Sequence, residues 1–337
     1  MILMKSWKAI TTFTCITASV VTLAACGGQA EESGSAEAGN FPEEDITIVV
    51  HTSAGGPTDL MARELGSAVE SIIDQNVVIE NLPGGSGATQ MSEIASAENN
   101  GYTLGTMTPS QMGLLNGTLA DQYSLEDFSW ITRTQIDPYI IAVHEDSEFE
   151  TLEDLVSYAE ENPNDLNVGG YGGTGSGHNI AFNIFSESAN IETNWTAYES
   201  TGDAVTALLG QHVDVINSNP GEVSQYVESG EVRILGVMAE EELAEMPDVP
   251  TYEEAGYDVD TDWSQFRGIY APADVPDDVK ENLSELFIEA METEEYQEYM
   301  TNAQMQEGSM TNQEYDEFIQ NQDELTGDWY ERLGVNE

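Results

Sequence analysis

Two stretches of the chain share one pattern, and that pattern limits the folds open to it. In Ile46 to Arg63, ITIVVHTSAGGPTDLMAR, a β-branched run passes through a small-residue turn into an amphipathic helix. Ile46 to Val50 has the composition of a strand buried on both faces, Ser53 to Gly56 can turn tightly, and Pro57 stands where the first residue of a helix tolerates proline. In Leu166 to Ile184, LNVGGYGGTGSGHNIAFNI, a short strand runs through glycines between Gly169 and Gly177 into an apolar helix. Each unit aims a helix N-terminus at the end of a strand, where unpaired N–H groups and a partial positive charge suit a carboxylate or a phosphate. Either stretch alone also fits an ordinary βα turn. Their repetition predicts two α/β lobes facing each other across a cleft.

Strand and helix patterns alternate through most of the chain. Strand 46–50, a helix from Thr58 to Ile73, strand 77–80, a helix from Ala88 to Ala97 and a strand from Tyr102 to Met107 make a βαβαβ unit, which argues for a parallel sheet with right-handed crossovers. Thr106, Thr108 and Ser110 fall at the end of that third strand; their hydroxyls are candidate ligand donors or caps of the next helix. Two strand-like runs, Phe128 to Thr134 and Tyr139 to Val143, meet at Asp137-Pro138, where the chain is expected to cross into the second lobe. A second alternating set follows up to residue 238, and Trp263 to Tyr270 reads as the return strand. From Pro276 onward the spacing is helical, and these helices are expected to pack on the first lobe.

The N-terminus carries a separate signal. Lys5 and Lys8 precede an apolar, threonine-bearing segment that ends in Leu23-Ala24-Ala25-Cys26, so residues 1–25 read as a signal peptide. The run is short and broken for a membrane span. Leu-Ala-Ala-Cys resembles a bacterial lipobox, which implies cleavage before Cys26 and lipidation of its sulfur. Cys15 would leave with the signal, so no thiol would remain for a disulfide, metal site or nucleophile. Residues 26–41 then form the lipidated cysteine and a small, polar, acidic linker, about 20 Å across as a coil.

Charge excludes a further class. The 337 residues hold 63 acidic against 8 basic side chains; without Lys5 and Lys8 the balance is 63 against six, a net of −57. Nucleic acid is not an expected partner, because phosphate neutralisation needs clustered Lys and Arg. A hydrated acidic surface suited to high salt or alkaline surroundings is expected instead. His51, His144, His178 and His212 are scattered without metal-binding spacing, and no metal or cofactor is expected. Gly170-x-Gly172-x-x-Gly175 also fits a dinucleotide fingerprint, but a domain outside the cell would meet little nicotinamide cofactor. Ser176 and His178 lack the G-x-S-x-G elbow of a hydrolase. Of the few arginines, Arg63 reads as a structural partner of a carboxylate, and Arg267 on the return strand is the candidate to reach the cleft.

Several motifs carry a family resemblance: ITIVVHTSAGGPTDLMAR, ENLPGGSGATQMSEIASAENNGYTL at 80–104, YGGTGSGHNIAF at 171–182, AYESTGDAVTALLGQHVDVINS at 197–218 and WSQFRGIYAPADVP at 263–276. On these the chain resembles the tripartite tricarboxylate transporter substrate-binding proteins, also called Bug receptors. The resemblance implies a two-lobed, type II-like periplasmic-binding-protein fold of two mixed or parallel sheets flanked by helices. Lobe 1 would hold residues 42–137 plus 262–337, and lobe 2 residues 138–261. It implies no enzyme but an extracytoplasmic, lipid-anchored receptor that captures a small carboxylate (a tricarboxylate, dicarboxylate or related acid) and delivers it to integral membrane transporter subunits. The alternative class is a secreted enzyme acting on a small organic acid. Carried over by position, the ligand carboxylate would meet Ser53, Ala54, Gly55, Gly56, Thr58 and Asp59 on the first loop, and Gly172, Gly173, Thr174, Gly175, Ser176 and His178 on the second. Walls would come from Thr108, Ser110, Tyr198, Asp203, Asn217 and Ser218. Family members commonly carry Pro-Phe or Pro-Tyr after the first strand; this chain has His51-Thr52 there.

A surface this acidic repels itself and repels an incoming anion. Raising ionic strength from about 0.1 M to 1 M shortens the screening length from roughly 10 Å to 3 Å while leaving short hydrogen bonds intact. Melting temperature and carboxylate affinity are therefore both expected to rise with a non-binding salt over this range. Thermal melts and calorimetric titrations test this, and a steady fall of either quantity contradicts it.

Overall fold

The computed structural model describes residues 41–243 and 246–335. The expected signal peptide, Cys26 and all of the linker except Phe41 lie outside the described residues. From the N-terminal side come β1 (Ile46–Val50), α1 (Pro57–Glu70), β2 (Val77–Asn81), α2 (Ala88–Ala95), β3 (Thr103–Met107), α3 (Pro109–Leu115) and β4 (Phe128–Asp137). Then come β5 (Tyr139–His144), α4 (Leu152–Glu161), β6 (Asn167–Tyr171), α5 (Gly177–Ala189), β7 (Asn194–Tyr198), α6 (Thr201–Leu209), β8 (Val215–Ser218), α7 (Pro220–Glu228) and β9 (Val232–Met238). The chain ends with β10 (Gln265–Pro272), α8 (Asp277–Met291), α9 (Glu294–Asn302), β11 (Gln306–Met310) and α10 (Asn312–Leu333).

These strands form two mixed sheets in a two-lobed α/β fold. The first has the order β11-β4-β10-β3-β1-β2 and the second β7-β6-β8-β5-β9. In the first sheet β2, β1 and β3 run parallel, as the βαβαβ pattern predicts, and β10 closes against β3 antiparallel. In the second, β7, β6 and β8 are parallel, β5 pairs antiparallel with β8, and β9 pairs antiparallel with β5. Both sheets are covered on both faces. Ile46, Ile48 and Val50 enter one core cluster while Val49 enters another, and Tyr139, Ile141 and Val143 part in the same way from Ile140 and Ala142. Side chains alternate across a strand, so a β-branched run with no polar alternation can only be buried on both sides.

The sheets exchange the chain at Pro138, between β4 and β5, and again between β9 and β10. Proline removes a ladder donor and biases Asp137 to extended backbone, which suits a strand that leaves one sheet for the other. Three details depart from the sequence reading. Strand β6 includes Gly169 and Gly170, so the second loop begins only at Gly172. Strand β8 lies two residues further on than its apolar run suggests and takes Asn217 and Ser218 into its buried end. The third departure is α10. A capping box of Thr311 and Glu314 starts it, and Tyr315 and Ile319 pack into a core of the first sheet as expected. Its last turns do not stay there: Trp329 joins the core of the second sheet, with Leu325, Tyr330 and Leu333 against it, and Arg332 pairs with Glu187 of α5 at 2.9 Å. The C-terminal helix therefore ties the two cores together.

Trp329 is 8% exposed, so truncating it removes a large apolar contact from that tie. Trp329→Ala is expected to lower the unfolding free energy by about 3 kcal/mol. Urea melts of the two proteins check this; a loss below about 1 kcal/mol would mean that the helix end is not held by that core.

Candidate functional site

The second glycine loop and the N-terminus of α5 form one wall of a cavity of about 870 Å³. Local chemistry fixes this loop. Gly172 donates its N–H to the Tyr198 carbonyl at 2.9 Å, and the Trp195 indole donates to the Gly172 carbonyl at 3.0 Å. Gly172 has a φ of +79°, and a Cβ there would lie 2.6 Å from the Ser176 Cβ, so only glycine fits the turn. Asn179 accepts from the Gly175 N–H at 3.0 Å, and its own N–H donates to Ser176 Oγ at 3.3 Å. The amides of Gly177 and His178, the first helical residues, have no carbonyl of their own helix to meet. They are the groups that a negative ligand can use.

The facing wall comes from the first sheet's side: Pro57, Ser86 and α3 with the turn after it, from Pro109 to Thr118. Of the residues expected at the site, Gly172, Gly173, Thr174, Gly175, Ser176, His178, Tyr198 and Ser110 line this cavity. The others do not. Ser53, Ala54, Gly55 and Gly56 belong to the turn before α1, which meets the cavity through Pro57. Thr58 is buried, and Asp59 accepts from the Gly55 N–H at 2.8 Å, from Arg63 twice at 2.9 Å and from Asn81 at 2.8 Å. The paired Arg63 guanidinium lowers the Asp59 carboxyl to about 2, and this carboxylate takes the Gly55 N–H of the turn before α1. Thr108 is the cap of α3, bonded to Gln111 at 2.7 Å. Asp203 forms the equivalent exposed cap of α6 with Ser200. Asn217 and Ser218 are fully buried in β8.

The floor holds residues that sequence reasoning passed over. Asp137, Asn219 and Gln265 join Arg267 there, with Glu199 and Glu222 also along the wall and Tyr330 and Val335 arriving from the chain's end. Asn219 is the joint: its amide donates to the carbonyls of Asp137 and Pro138 at 3.2 and 3.0 Å, and its oxygen meets His178 Nε2 at 2.9 Å. Gln265 bonds the Tyr139 hydroxyl at 3.0 Å, two residues before Arg267 and so on the same face of β10. Arg267 Nη2 lies 3.6 Å from Asp137 Oδ2. That period of two was the one available signal for Gln265 once Arg267 was singled out. Nothing local marked Tyr330 or Val335, which α10 carries in from the far end of the chain.

Electrostatics separate the roles. Burial, and then the Arg267 charge, lower His51 to about 4; burial, against its bond to Asn219, lowers His178 to about 4. Both are neutral near pH 7. Burial raises Asp137 to about 6 against the opposing pull of Arg267. Ser176 and His178 do not act as a pair: the Ser176 hydroxyl donates to the Tyr171 carbonyl at 2.9 Å while His178 bonds Asn219. Among the described residues no group of three His, Cys, Asp or Glu could hold a metal, and no helix is long and apolar enough to cross a membrane.

A family model described as tripartite tricarboxylate transporter family receptor matches residues 61–335. The fold and site thus define a receptor-type binding protein, and the chain belongs to the tripartite tricarboxylate transporter family receptors. A Cupriavidus necator protein known as the UPF0065 protein in the gbd 5′ region is 28% identical over 301 residues, covering 89% of this chain and 91% of its own. The fold resembles a solute-binding protein of the TctC type from Polaromonas, with a TM-score of 0.76 and 23% identity over 87% of this chain and all of that one. It also resembles an R. palustris protein solved with adipate, with a TM-score of 0.71 and 21% identity over 88% of this chain and 99% of that one.

The pH dependence of stability follows from the buried histidines. A histidine held neutral at about 4 contributes stability above the free imidazole value of 6.5, and this is lost as pH falls. Asp137, raised to about 6, has the opposite sign: its contribution is present at low pH and lost as pH rises through 6. Between pH 7 and 5 the two histidines together cost about 4 kcal/mol and Asp137 returns about 1, so a net loss of roughly 2 to 3 kcal/mol is expected. His178→Gln, which keeps a partner for Asn219, should remove about half of the histidine share. Urea melts at both values check this, and a stability that rises on acidification contradicts it.

Proposed function

We propose that this protein is an extracytoplasmic solute-binding receptor that captures a small carboxylate on the α5 loop and delivers it to a membrane transporter. The observation that carries the reading is the α5 N-terminus: the Gly177 and His178 amides, with Gly172 to Ser176 wrapped before them, stand at a cavity whose opposite wall belongs to the other sheet. A carboxylate there gains main-chain hydrogen bonds and a favourable helix dipole without an arginine clamp. His178 is neutral near pH 7, so the site relies on oriented dipoles rather than on imidazolium charge. Membership of the receptor family and the resemblance to a protein solved with adipate support a small organic acid as the ligand class.

The working parts follow from this reading. Lobe 1 comprises residues 42–137 and 262–337 and lobe 2 residues 138–261, and a ligand touched by both favours their approach only through contacts from both sides. The end of α10 crosses from one to the other, so closure turns on three segments rather than two. Lipidation of Cys26 holds the domain at the outer face of the cell membrane, and the linker to residue 41 lets it reach the transporter subunits. The acidic surface keeps it soluble in salty or alkaline surroundings.

Gly173 offers a clean test, because a side chain added there meets nothing within 4 Å and its backbone is unstrained. Gly173→Trp is expected to keep the parent melting temperature and to abolish the rise in that temperature on adding a bound carboxylate such as adipate or citrate. A variant that responds to the ligand like the parent would place the site elsewhere.

A further inference from the structure

The floor of the cavity carries an ion pair that the α5 loop does not need. Asp137 closes β4 and Arg267 lies on β10, and they are only 6% and 4% exposed. Their contact of 3.6 Å is loose, and Arg267 Nη1 reaches only the Met305 sulfur, at 3.8 Å. Asp137 Oδ1 and Arg267 Nε have no hydrogen-bond partner. Buried ions are tolerated when they are both paired and hydrogen-bonded, and here each keeps unused capacity beside a cavity that both line. The remaining titratable groups decide the sign of the field. Glu222, half-buried on α7, interacts with Asp137, and Glu199 stands on the same wall, while His178 is neutral. Asp137 and Glu222 thus set two carboxylates against one guanidinium, with Glu199 a further acidic residue on the cavity wall.

We propose that this floor is a subsite for a cationic group, so that the ligand is a carboxylic acid bearing an ammonium, whose N–H donors pair with the Asp137 carboxylate while its own carboxylate meets the α5 loop. The inference rests on the carboxylate reading of that loop and adds the chemistry of the other end. A second carboxylate at the floor would meet Asp137 and Glu222 at once. An ammonium pairs with the Asp137 carboxylate and is drawn in by Glu222 as well. Arg267 keeps Asp137 charged in a place where burial alone favours the neutral acid.

Matched ligands separate the possibilities in calorimetric titrations of the full chain. At equal methylene count, 3-aminopropanoate is compared with succinate and butanoate, 4-aminobutanoate with glutarate and pentanoate, and 5-aminopentanoate with adipate and hexanoate. At the best-fitting length the amino acid should bind at least tenfold tighter than both the diacid and the plain monoacid. Asp137→Asn should bring the amino-acid to diacid ratio to within about threefold of unity. Glu222→Gln, a partly exposed position that avoids the buried pair, should lower the ratio by about threefold even if Asp137→Asn does not fold. A diacid or monoacid binding as tightly as the amino acid overturns the subsite while leaving the α5 carboxylate site standing, and an undiminished ratio in Glu222→Gln also counts against it. Binding by none of the nine acids, nor by adipate's tricarboxylate counterpart citrate, removes the carboxylate reading and this inference with it.

Discussion

One buried side chain fixes the geometry on which the rest of the site depends. Asn219 donates to the carbonyls of Asp137 and Pro138 and holds His178 at the head of α5. Those carbonyls lie where the chain leaves one sheet for the other, so their ladder partners run out on both sides. A backbone oxygen buried without a partner is costly, and the two-donor amide meets both. Through its oxygen the same amide sets which ring nitrogen of His178 faces it, and hence the seat of the α5 N-terminus. The crossing strand and the N-terminus of α5 are thereby joined through one side chain.

Around this joint the protein divides its polar groups by task. Asp59 takes the Gly55 N–H of the first glycine-bearing turn, and Arg63 and Asn81 hold that carboxylate in place. The second is braced in the same way but by a neutral side chain, with Asn179 taking the Gly175 N–H and Ser176 bonding the Tyr171 carbonyl. Two similar sequence patterns thus differ in charge, and the difference lies at the third helical position: Asp59 in α1, Asn179 in α5. A charged cap repels a carboxylate where a neutral one does not. The sequence pattern showed both loops, yet it gave them equal weight.

The remaining charge is a question of distribution. With 63 acidic residues against 8 basic ones, most carboxylates face solvent, and the few cations are placed with care. Arg133 lies buried over Phe318 and donates to the Gly308 carbonyl, and Arg267 lies buried beside Asp137. Arg233 and Arg332 form ion pairs at the surface with Glu145 and Glu187. Surface pairs of this kind add little stability, whereas each buried guanidinium constrains which strands can pack beside it. Arginine suits these buried places because it stays charged and spreads its donors in a plane.

What the sequence determined by itself was periodic and local. Unbroken β-branched runs such as Ile46 to Val50 demanded strands covered on both faces, small-residue turns before Pro57 and up to Gly177 marked helix starts, and Asp137-Pro138 marked the crossing. These signals are written in neighbouring residues, so two α/β lobes were legible. Strand β11 was not: Gln306 to Met310 has no apolar alternation and becomes a strand by pairing with the edge of β4. The cavity's composition was decided by tertiary structure for the same reason. Thr108 and Asp203 have the chemistry of ligand donors but are used by the caps of their own helices, while Asn217 and Ser218 are turned into a buried strand end by a register that only its neighbours β5 and β6 set. Asp137, Asn219 and Arg267 lie far apart in sequence and meet because two sheets exchange strands, and Tyr330 reaches the wall because α10 packs into both cores. Residue type fixes what a side chain can do, but long-range packing decides which donors remain free to do it.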